Sequence, residues 1–161
     1  IAQPGGVWAD LGAGSGAFTL ALAELLGAGA TIHAVDRDRR ALDQLARSVR
    51  AGYPAVDVHL LVADFTQALP LPPLDGIVMA NSLHFVEAKD AVLAQVRGYL
   101  RAGGRLIVVE YNTDRGNRWV PFPFSFATWQ TLARQAGFAR TELLATRASS
   151  FLGEFYSAAS W

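Results

Sequence analysis

The chain has 161 residues, of which 52% are hydrophobic and 17% are charged, and its 14 basic residues balance 14 acidic ones. This composition predicts one compact domain over residues 1–161, and the balanced charge argues against nucleic acid as the partner. The chain has no cysteine, which excludes a disulfide framework, a thiolate zinc site and a cysteine nucleophile.

Short β-rich segments alternate with segments of helical periodicity. In chain order the sequence predicts a strand at 6–11, a helix at 15–26, a strand at 30–36, a helix from Asp38 to Gly52, strands at 56–64 and 76–80, a helix at 87–101, a strand at 105–111, a helix from Ser125 to Gly137, and two strands within 140–160. The last two are expected to pair antiparallel at the sheet edge. Alternating strands and helices predict a parallel sheet covered on both faces, with ligands beyond the carboxyl ends of its strands.

The sequence gives no sign of membrane contact. No apolar run approaches the roughly 20 residues of a membrane span, and no charged-then-apolar leader precedes the first predicted strand. We therefore expect a cytoplasmic protein. The numbering begins with Ile1 rather than Met, so we expect that an upstream segment is missing from it.

The stretch "DLGAGSG" follows the first predicted strand at such a carboxyl end. Gly12 and Gly14 allow a tight turn and a close approach of the backbone to a ligand, and Gly16 allows the following helix to pack near the strand. The glycines alone do not identify the ligand, because Gly12, Gly14 and Ala17 also satisfy the dinucleotide pattern, with Asp36 about 20 residues further on.

Asp10 distinguishes a cationic ligand from a dinucleotide. Its carboxylate lies where a pyrophosphate would approach, and like charges repel. A ligand with an adenosine at one end and an ammonium and a sulfonium at the other suits both Asp10 and a ribose-binding acid at Asp36. The sequence therefore indicates S-adenosylmethionine.

Acids at the ends of three successive strands extend this pattern over nearly the whole chain. The combination resembles class I S-adenosylmethionine-dependent methyltransferases of the type 11/12/25-like group, and the residues that carry it are Asp10, Gly12, Gly14, Gly16, Asp36, Asp64 and Phe65. The resemblance implies a Rossmann-like, doubly wound, three-layer α/β/α domain. Its seven-stranded sheet would have the order 3-2-1-4-5-7-6, with strand 7 antiparallel.

The resemblance also implies roles for single residues. The glycine turn, including Ala13, would lie against the methionine moiety, with Asp10 near its ammonium. Asp36 would accept hydrogen bonds from both ribose hydroxyls, although it could instead cap the second helix.

The resemblance places the adenine base of the cofactor at the end of the third strand. Asp64 would accept from the adenine amino group, unless it is simply a turn residue, and Phe65 would supply an amide or an apolar edge. Arg37 departs from the apolar residue often found after the ribose acid, but a guanidinium can stack on adenine.

The segment "NSLHFV" follows the fourth strand, where the transferred methyl would point. Asn81 is expected to line the cofactor, and His84 is the candidate proton acceptor near neutral pH. The alternative is that His84 is a loop residue with no chemical role, since in-line methyl transfer depends mainly on positioning. No metal is expected, because the histidines are scattered.

The segment 112–126 leaves the fifth strand at the ligand edge and carries four aromatic residues among polar ones. Either these aromatics are ordinary core, or Trp119 and Phe122 form one wall of the acceptor site. The second alternative favours a small, partly apolar acceptor over a polynucleotide. The Asn/Asp-Pro-Pro-Tyr/Phe signature of amino-methylating enzymes is absent, which disfavours that acceptor class.

Two other functions stay open. An NAD(P)-dependent oxidoreductase would want a second mononucleotide-binding half, for which the antiparallel end pattern leaves little chain. A non-catalytic S-adenosylmethionine-binding domain would keep the glycines and acids without needing Asn81 or His84.

Overall fold

The computed structural model describes residues 4–161, which form one seven-stranded sheet with helices on both faces. The elements are β1 Val7–Leu11, α1 Ala17–Leu26, β2 Thr31–Asp36, α2 Arg39–Gly52, β3 Asp57–Val62, β4 Leu74–Ala80, the 3₁₀ turn Leu83–Phe85, α3 Asp90–Tyr99, β5 Leu100–Tyr111, α4 Phe126–Gln135, β6 Thr141–Ser149 and β7 Gly153–Ser160. Within these residues, no helix combines the length and apolar character needed to cross a bilayer.

The strand order is β3-β2-β1-β4-β5-β7-β6. Strands β1 to β5 pair in parallel, whereas β7 is antiparallel to both β5 and β6. The predicted fold class, strand order and antiparallel seventh strand are confirmed. Because the first five strands run in one direction, the segments that follow them meet at one edge of the sheet.

Two hydrophobic layers hold the helices against the sheet. On one face, α3 and α4 bury Leu93, Val96 and Trp129 against β4 and β5. On the other face, α1 and α2 bury Leu22 and Leu45 against β1 and β2. Burial of these apolar rows is the main source of stability, at about 25 cal/mol per Å² of apolar surface.

Helix α2 and helix α4 begin at side-chain caps, Asp38 and Ser125, at the positions where the sequence predicts these helices to begin. Asp38 Oδ1 accepts hydrogen bonds from the amides of Arg40 and Ala41, and Ser125 Oγ accepts from the amide of Thr128. Such caps satisfy amides that have no partner inside the helix, and each is typically worth about 1 kcal/mol.

Among the element boundaries that differ from the prediction, two have a clear physical cause. Helix α1 begins at Ala17 rather than residue 15, because Gly16 has a φ of 98° that a right-handed helix excludes. Strand β5 begins at Leu100 rather than residue 105, so α3 ends early. Leu100 is buried and pairs with Leu74, next to a register shift in the pairing of β4 with β5. Helical periodicity does not show such a tertiary contact.

Candidate active site

A cavity of about 380 Å³ opens at the carboxyl ends of the parallel strands. This volume lies in the range of roughly 300–1,000 Å³ that small-ligand sites occupy. The cavity is lined by Gly12, Gly14, Asp36, Arg37, Ala63, Asp64, Phe65, Thr66, Asn81, Ser82, Phe85 and Val86. Seven of the predicted cofactor residues are among them, so the fold brings together residues from four separate segments. The predicted residues Asp10, Ala13 and Gly16 do not line it.

The glycine loop fits tightly on one side and is open on the other. A Cβ on Gly12 would overlap the Cβ of Ser82, so only glycine lets β1 and the segment after β4 approach this closely. A Cβ on Gly14 would meet no atom within 4 Å, because this residue faces the cavity. The third glycine differs from expectation: a Cβ on Gly16 would overlap Leu45, so Gly16 permits contact between α1 and α2 rather than with the strand.

Asp36 ties the glycine loop to the end of β2. Its Oδ2 accepts a hydrogen bond from the Gly14 amide at 2.7 Å, and its Oδ1 accepts from the Asp38 amide at 2.8 Å. Of the two acids that could cap α2, Asp38 is the one that does so. Each carboxylate oxygen can accept further hydrogen bonds, so Asp36 can still bind a hydroxyl in the cavity.

Asp64 both stabilises a turn and lines the cavity. Its Oδ1 accepts from the amide and the hydroxyl of Thr66, at 2.9 and 2.8 Å. These hydrogen bonds lower the pKa of Asp64, and the nearby charge of Arg37 lowers it further, so the group is a stable carboxylate at neutral pH. The adjacent Phe65 lines the same wall.

Asp10 lies behind the glycine loop rather than in the cavity. The carboxyl is buried, and its Oδ2 accepts a 2.6 Å hydrogen bond from the Thr19 hydroxyl. Burial raises its pKa to about 6, the hydrogen bond from Thr19 partly opposes this, and the charge of Asp36 adds to it. Ala13 is also buried, with its amide donating to the Val35 carbonyl. Any effect of Asp10 on a ligand is therefore electrostatic across the loop.

The segment after β4 forms the opposite wall. Asn81 has a φ of 51°, the only positive φ of a non-glycine residue within 4–161, and its amide donates to the Val109 carbonyl. Ser82 Oγ donates to the Leu11 carbonyl at 2.8 Å, which joins this wall to β1. Asn81 also lines a second cavity of about 460 Å³, bounded in part by Phe18 and Phe155.

His84 forms a buried pair with Glu110 of β5. The His84 side chain is 4% exposed, and its Nδ1 lies 2.6 Å from Glu110 Oε2. Glu110 Oε1 also accepts from the amides of Leu83 and His84, at 3.0 and 3.3 Å. A carboxylate only accepts, so Nδ1 carries the hydrogen and Nε2 keeps the lone pair. In the described chain, Nε2 makes no hydrogen bond to another residue.

Glu110 was not predicted from the sequence. The available signal was one acid in the otherwise apolar strand "LIVVEY", since a buried carboxylate requires hydrogen-bond partners. Ser82, Phe85 and Val86 were also missed as cavity residues, although they adjoin Asn81. Residues 4–161 contain no cluster of three or more His, Asp or Glu side chains suited to a metal ion.

Neither Trp119 nor Phe122 lines the 380 Å³ cavity, although Phe122 contacts the backbone of His84. The Phe122 amide donates to the His84 carbonyl at 3.0 Å, and its carbonyl accepts from Lys89 Nζ at 3.0 Å. Trp119 is 68% exposed, which separates it from the core, whereas Phe124 is buried against Trp129. The core alternative therefore holds for Phe124, whereas Trp119 is not a core residue.

Residues 9–106 match a family model described as a methyltransferase domain. The match covers more than half of the chain, so the chain belongs to this methyltransferase domain family. Its fold is that of class I S-adenosylmethionine-dependent methyltransferases. No curated protein sequence matches the chain significantly.

Solved structures share the fold at low identity. A candidate O-methyltransferase from Nostoc punctiforme matches with a TM-score of 0.76 and 18% identity, over 97% of this chain and 51% of that one. An S-adenosylmethionine-dependent methyltransferase from Aquifex aeolicus matches with 0.73 and 19%, over 98% and 82%. An arsenic(III) S-adenosylmethionine methyltransferase from Chlamydomonas reinhardtii matches with 0.77 and 18%, over 98% and 63%. The chain thus spans about half the length of the Nostoc protein.

Proposed function

We propose that this domain transfers a methyl group from S-adenosylmethionine to a small-molecule acceptor. The observation that carries the proposal is the meeting of the glycine loop with Asp36 and Asp64 at one cavity. Backbone that a ligand can approach closely lies beside two carboxylates from the ends of neighbouring strands. Carboxylates suit the hydroxyls and the amino group of an adenosine.

The charge of the cavity distinguishes this cofactor from a dinucleotide. The lining holds two carboxylates, Asp36 and Asp64, and one cation, Arg37. A third carboxyl, Asp10, lies behind the loop. This balance attracts the sulfonium and ammonium of S-adenosylmethionine and repels a diphosphate. The lining therefore fits S-adenosylmethionine better than NAD(P).

The residues expected to hold the cofactor are those named from the sequence. Asp36 and Asp64 would accept from the ribose and the adenine, and Gly12, Gly14 and Asn81 would lie along its length. Once bound, S-adenosylmethionine supplies an electrophilic methyl group. Much of the acceleration then comes from the position of the acceptor, because the leaving group is already good.

His84 is the proposed proton acceptor. Glu110 fixes the ring so that Nε2 carries the lone pair, and its charge stabilises the imidazolium that forms when Nε2 takes the acceptor's proton. Trp119 and Phe122 are the proposed acceptor wall, since the Phe122 amide donates to the His84 carbonyl and Trp119 is an exposed ring three residues before Phe122. The free lone pair of His84 Nε2 favours the enzyme over a non-catalytic binding domain, which would need the His84–Glu110 pair only to hold the loop after β4.

The test is turnover by the purified domain. Formation of S-adenosylhomocysteine from S-adenosylmethionine is measured by mass spectrometry against a panel of small hydroxyl, amine and thiol compounds. We expect formation that depends on an acceptor and is lost in His84→Gln, a variant that keeps a polar side chain of similar length. Cofactor binding without turnover on any acceptor, identical in wild type and variant, would support the binding domain instead.

A further inference from the structure

Three exposed and two partly buried aromatic residues lie at the carboxyl edge of the sheet, and two of their rings contact the ring of His84. We define the aromatic rim as Phe85, Tyr111, Trp119, Phe151 and Phe155. We propose, resting on the methyl transfer proposed above, that the acceptor is an aromatic alcohol whose ring stacks on this rim.

Four of the five rings form a continuous series of contacts, and Phe85 joins them through the ring of His84. Tyr111 stacks on Phe155, with centroids 4.1 Å apart and planes at 28°, and lies 5.9 Å from Phe151. Phe151 in turn meets Trp119 edge-on at 6.2 Å. These separations fall within the 4.5–7 Å range of aromatic pairs or slightly below it. These four rings therefore form one surface rather than scattered apolar residues.

Four separate segments supply the rim. Phe85 follows β4, Tyr111 ends β5, Trp119 lies in the segment before α4, and the other two belong to the β6–β7 hairpin. Trp119 is 68% exposed and Phe151 is 50% exposed. Single exposed apolar residues are ordinary, but a contiguous group contributed by several loops marks a binding surface.

The rim touches both parts of the candidate active site. Phe85 lines the 380 Å³ cavity, and its ring lies 4.4 Å from the ring of His84. The ring of Tyr111 lies 6.3 Å from the ring of His84. An aromatic acceptor on the rim is therefore next to the proton acceptor and to the cofactor cavity at once. This continuity favours a small acceptor over a macromolecular partner.

The chemistry also favours an aromatic hydroxyl. The bond from the acceptor oxygen to the methyl carbon forms as the carbon–sulfur bond breaks, the electron pair stays on sulfur, and the hydroxyl proton passes to His84 Nε2. A phenolic hydroxyl ionises near pH 10, as in tyrosine, so an imidazole takes its proton far more readily than that of an aliphatic alcohol.

Two probes with one hydroxyl each test the proposal. 2-Naphthol and decahydro-2-naphthol share a carbon skeleton, but only the first is aromatic. Binding of each to the domain saturated with S-adenosylhomocysteine is measured by calorimetry. We expect 2-naphthol to bind at least about tenfold more tightly, a difference of about 1.4 kcal/mol. With S-adenosylmethionine, mass spectrometry should detect 2-methoxynaphthalene.

Rim variants locate the binding. Trp119→Ala and Phe151→Leu should each weaken 2-naphthol binding about fivefold or more and leave S-adenosylhomocysteine affinity unchanged. Leu25→Ala, at an exposed apolar residue of α1 outside the rim, is the matched control and should change neither affinity. Equal or absent binding of the two probes, or wild-type affinity in both rim variants, overturns the proposal. Failure of the wild-type domain to bind S-adenosylhomocysteine would instead overturn the proposed function.

Discussion

Burial of Asp10 makes its charge sensitive to pH near neutrality. Its pKa is about 6 in the folded domain, compared with 3.8 for an unperturbed aspartic acid, and burial is the largest cause of this increase. Between these values the folded chain holds a proton that the unfolded chain has released. The folded state therefore loses stability as pH rises through this window, by about 3 kcal/mol in total at 1.36 kcal/mol per pKa unit.

Asp10→Asn should remove this cost, because an amide oxygen can still accept from the Thr19 hydroxyl. We expect the variant to gain thermal stability over wild type at about pH 8 and to gain less at about pH 5. Its S-adenosylmethionine affinity should fall, since an attractive charge is lost. A stability change independent of pH would refute the burial effect. A gain in NAD affinity with no loss for S-adenosylmethionine would refute the charge argument.

Asp36→Ala should weaken cofactor binding more than it weakens the fold. A carboxylate that accepts from two hydroxyls is worth roughly 2–3 kcal/mol, or about 30- to 150-fold in the calorimetric Kd for S-adenosylhomocysteine. Asp38→Ala is the control: it removes the α2 cap, which should cost about 1 kcal/mol of stability with little effect on affinity. Equal affinity losses in both variants would remove Asp36 from the ribose site.

Glu110→Gln tests whether the buried pair serves catalysis or only holds the loop. The Gln amide cannot accept from Nδ1 and from two amides as the carboxylate does, so the imidazole should change tautomer and lose its basic Nε2. We expect kcat to fall by about 10²-fold or more. S-Adenosylhomocysteine affinity should stay within about twofold, on the scale where 1.4 kcal/mol is tenfold. A fall in affinity that matches the fall in kcat would indicate a purely structural role.

At the scale of elements, helices α1 and α2 meet at Gly16 and Leu45. Gly16→Ala should destabilise the domain by roughly 1–3 kcal/mol, because the new Cβ overlaps Leu45 and the φ of 98° disfavours alanine. Denaturant unfolding measures the loss. In a Leu45→Ala background, Gly16→Ala should cost less stability, because the overlap with Leu45 is gone and only the backbone strain of alanine at this φ is left. An unchanged cost in that background would show that the overlap is unimportant.

Elements were predictable from the sequence where local pattern and tertiary packing agree. Leu42, Leu45 and Val49 recur at helical spacing and are the buried residues of α2. The start of β5 was not predictable, because Leu100 joins a strand through its pairing with Leu74. Local periodicity contains no information about such a partner.

At the scale of the molecule, the parallel sheet gathers the candidate site from distant parts of the chain. The glycine turn and the acids after β2 and β3 could be predicted, because residues after parallel strands meet at one edge. The pairing of His84 with Glu110, 26 residues apart, could not, since it depends on side-chain direction in β5. The burial of Asp10 was missed for the same reason. Its position before the turn is evident in the sequence, but the direction of its side chain is not.

The most direct measurement is a calorimetric titration of the purified domain with S-adenosylhomocysteine and, separately, with NAD. The two carboxylates and single cation of the cavity predict that S-adenosylhomocysteine binds at one site and that NAD does not bind measurably. Binding of NAD with no binding of S-adenosylhomocysteine would contradict the assignment of the cavity and, with it, the proposed methyl transfer.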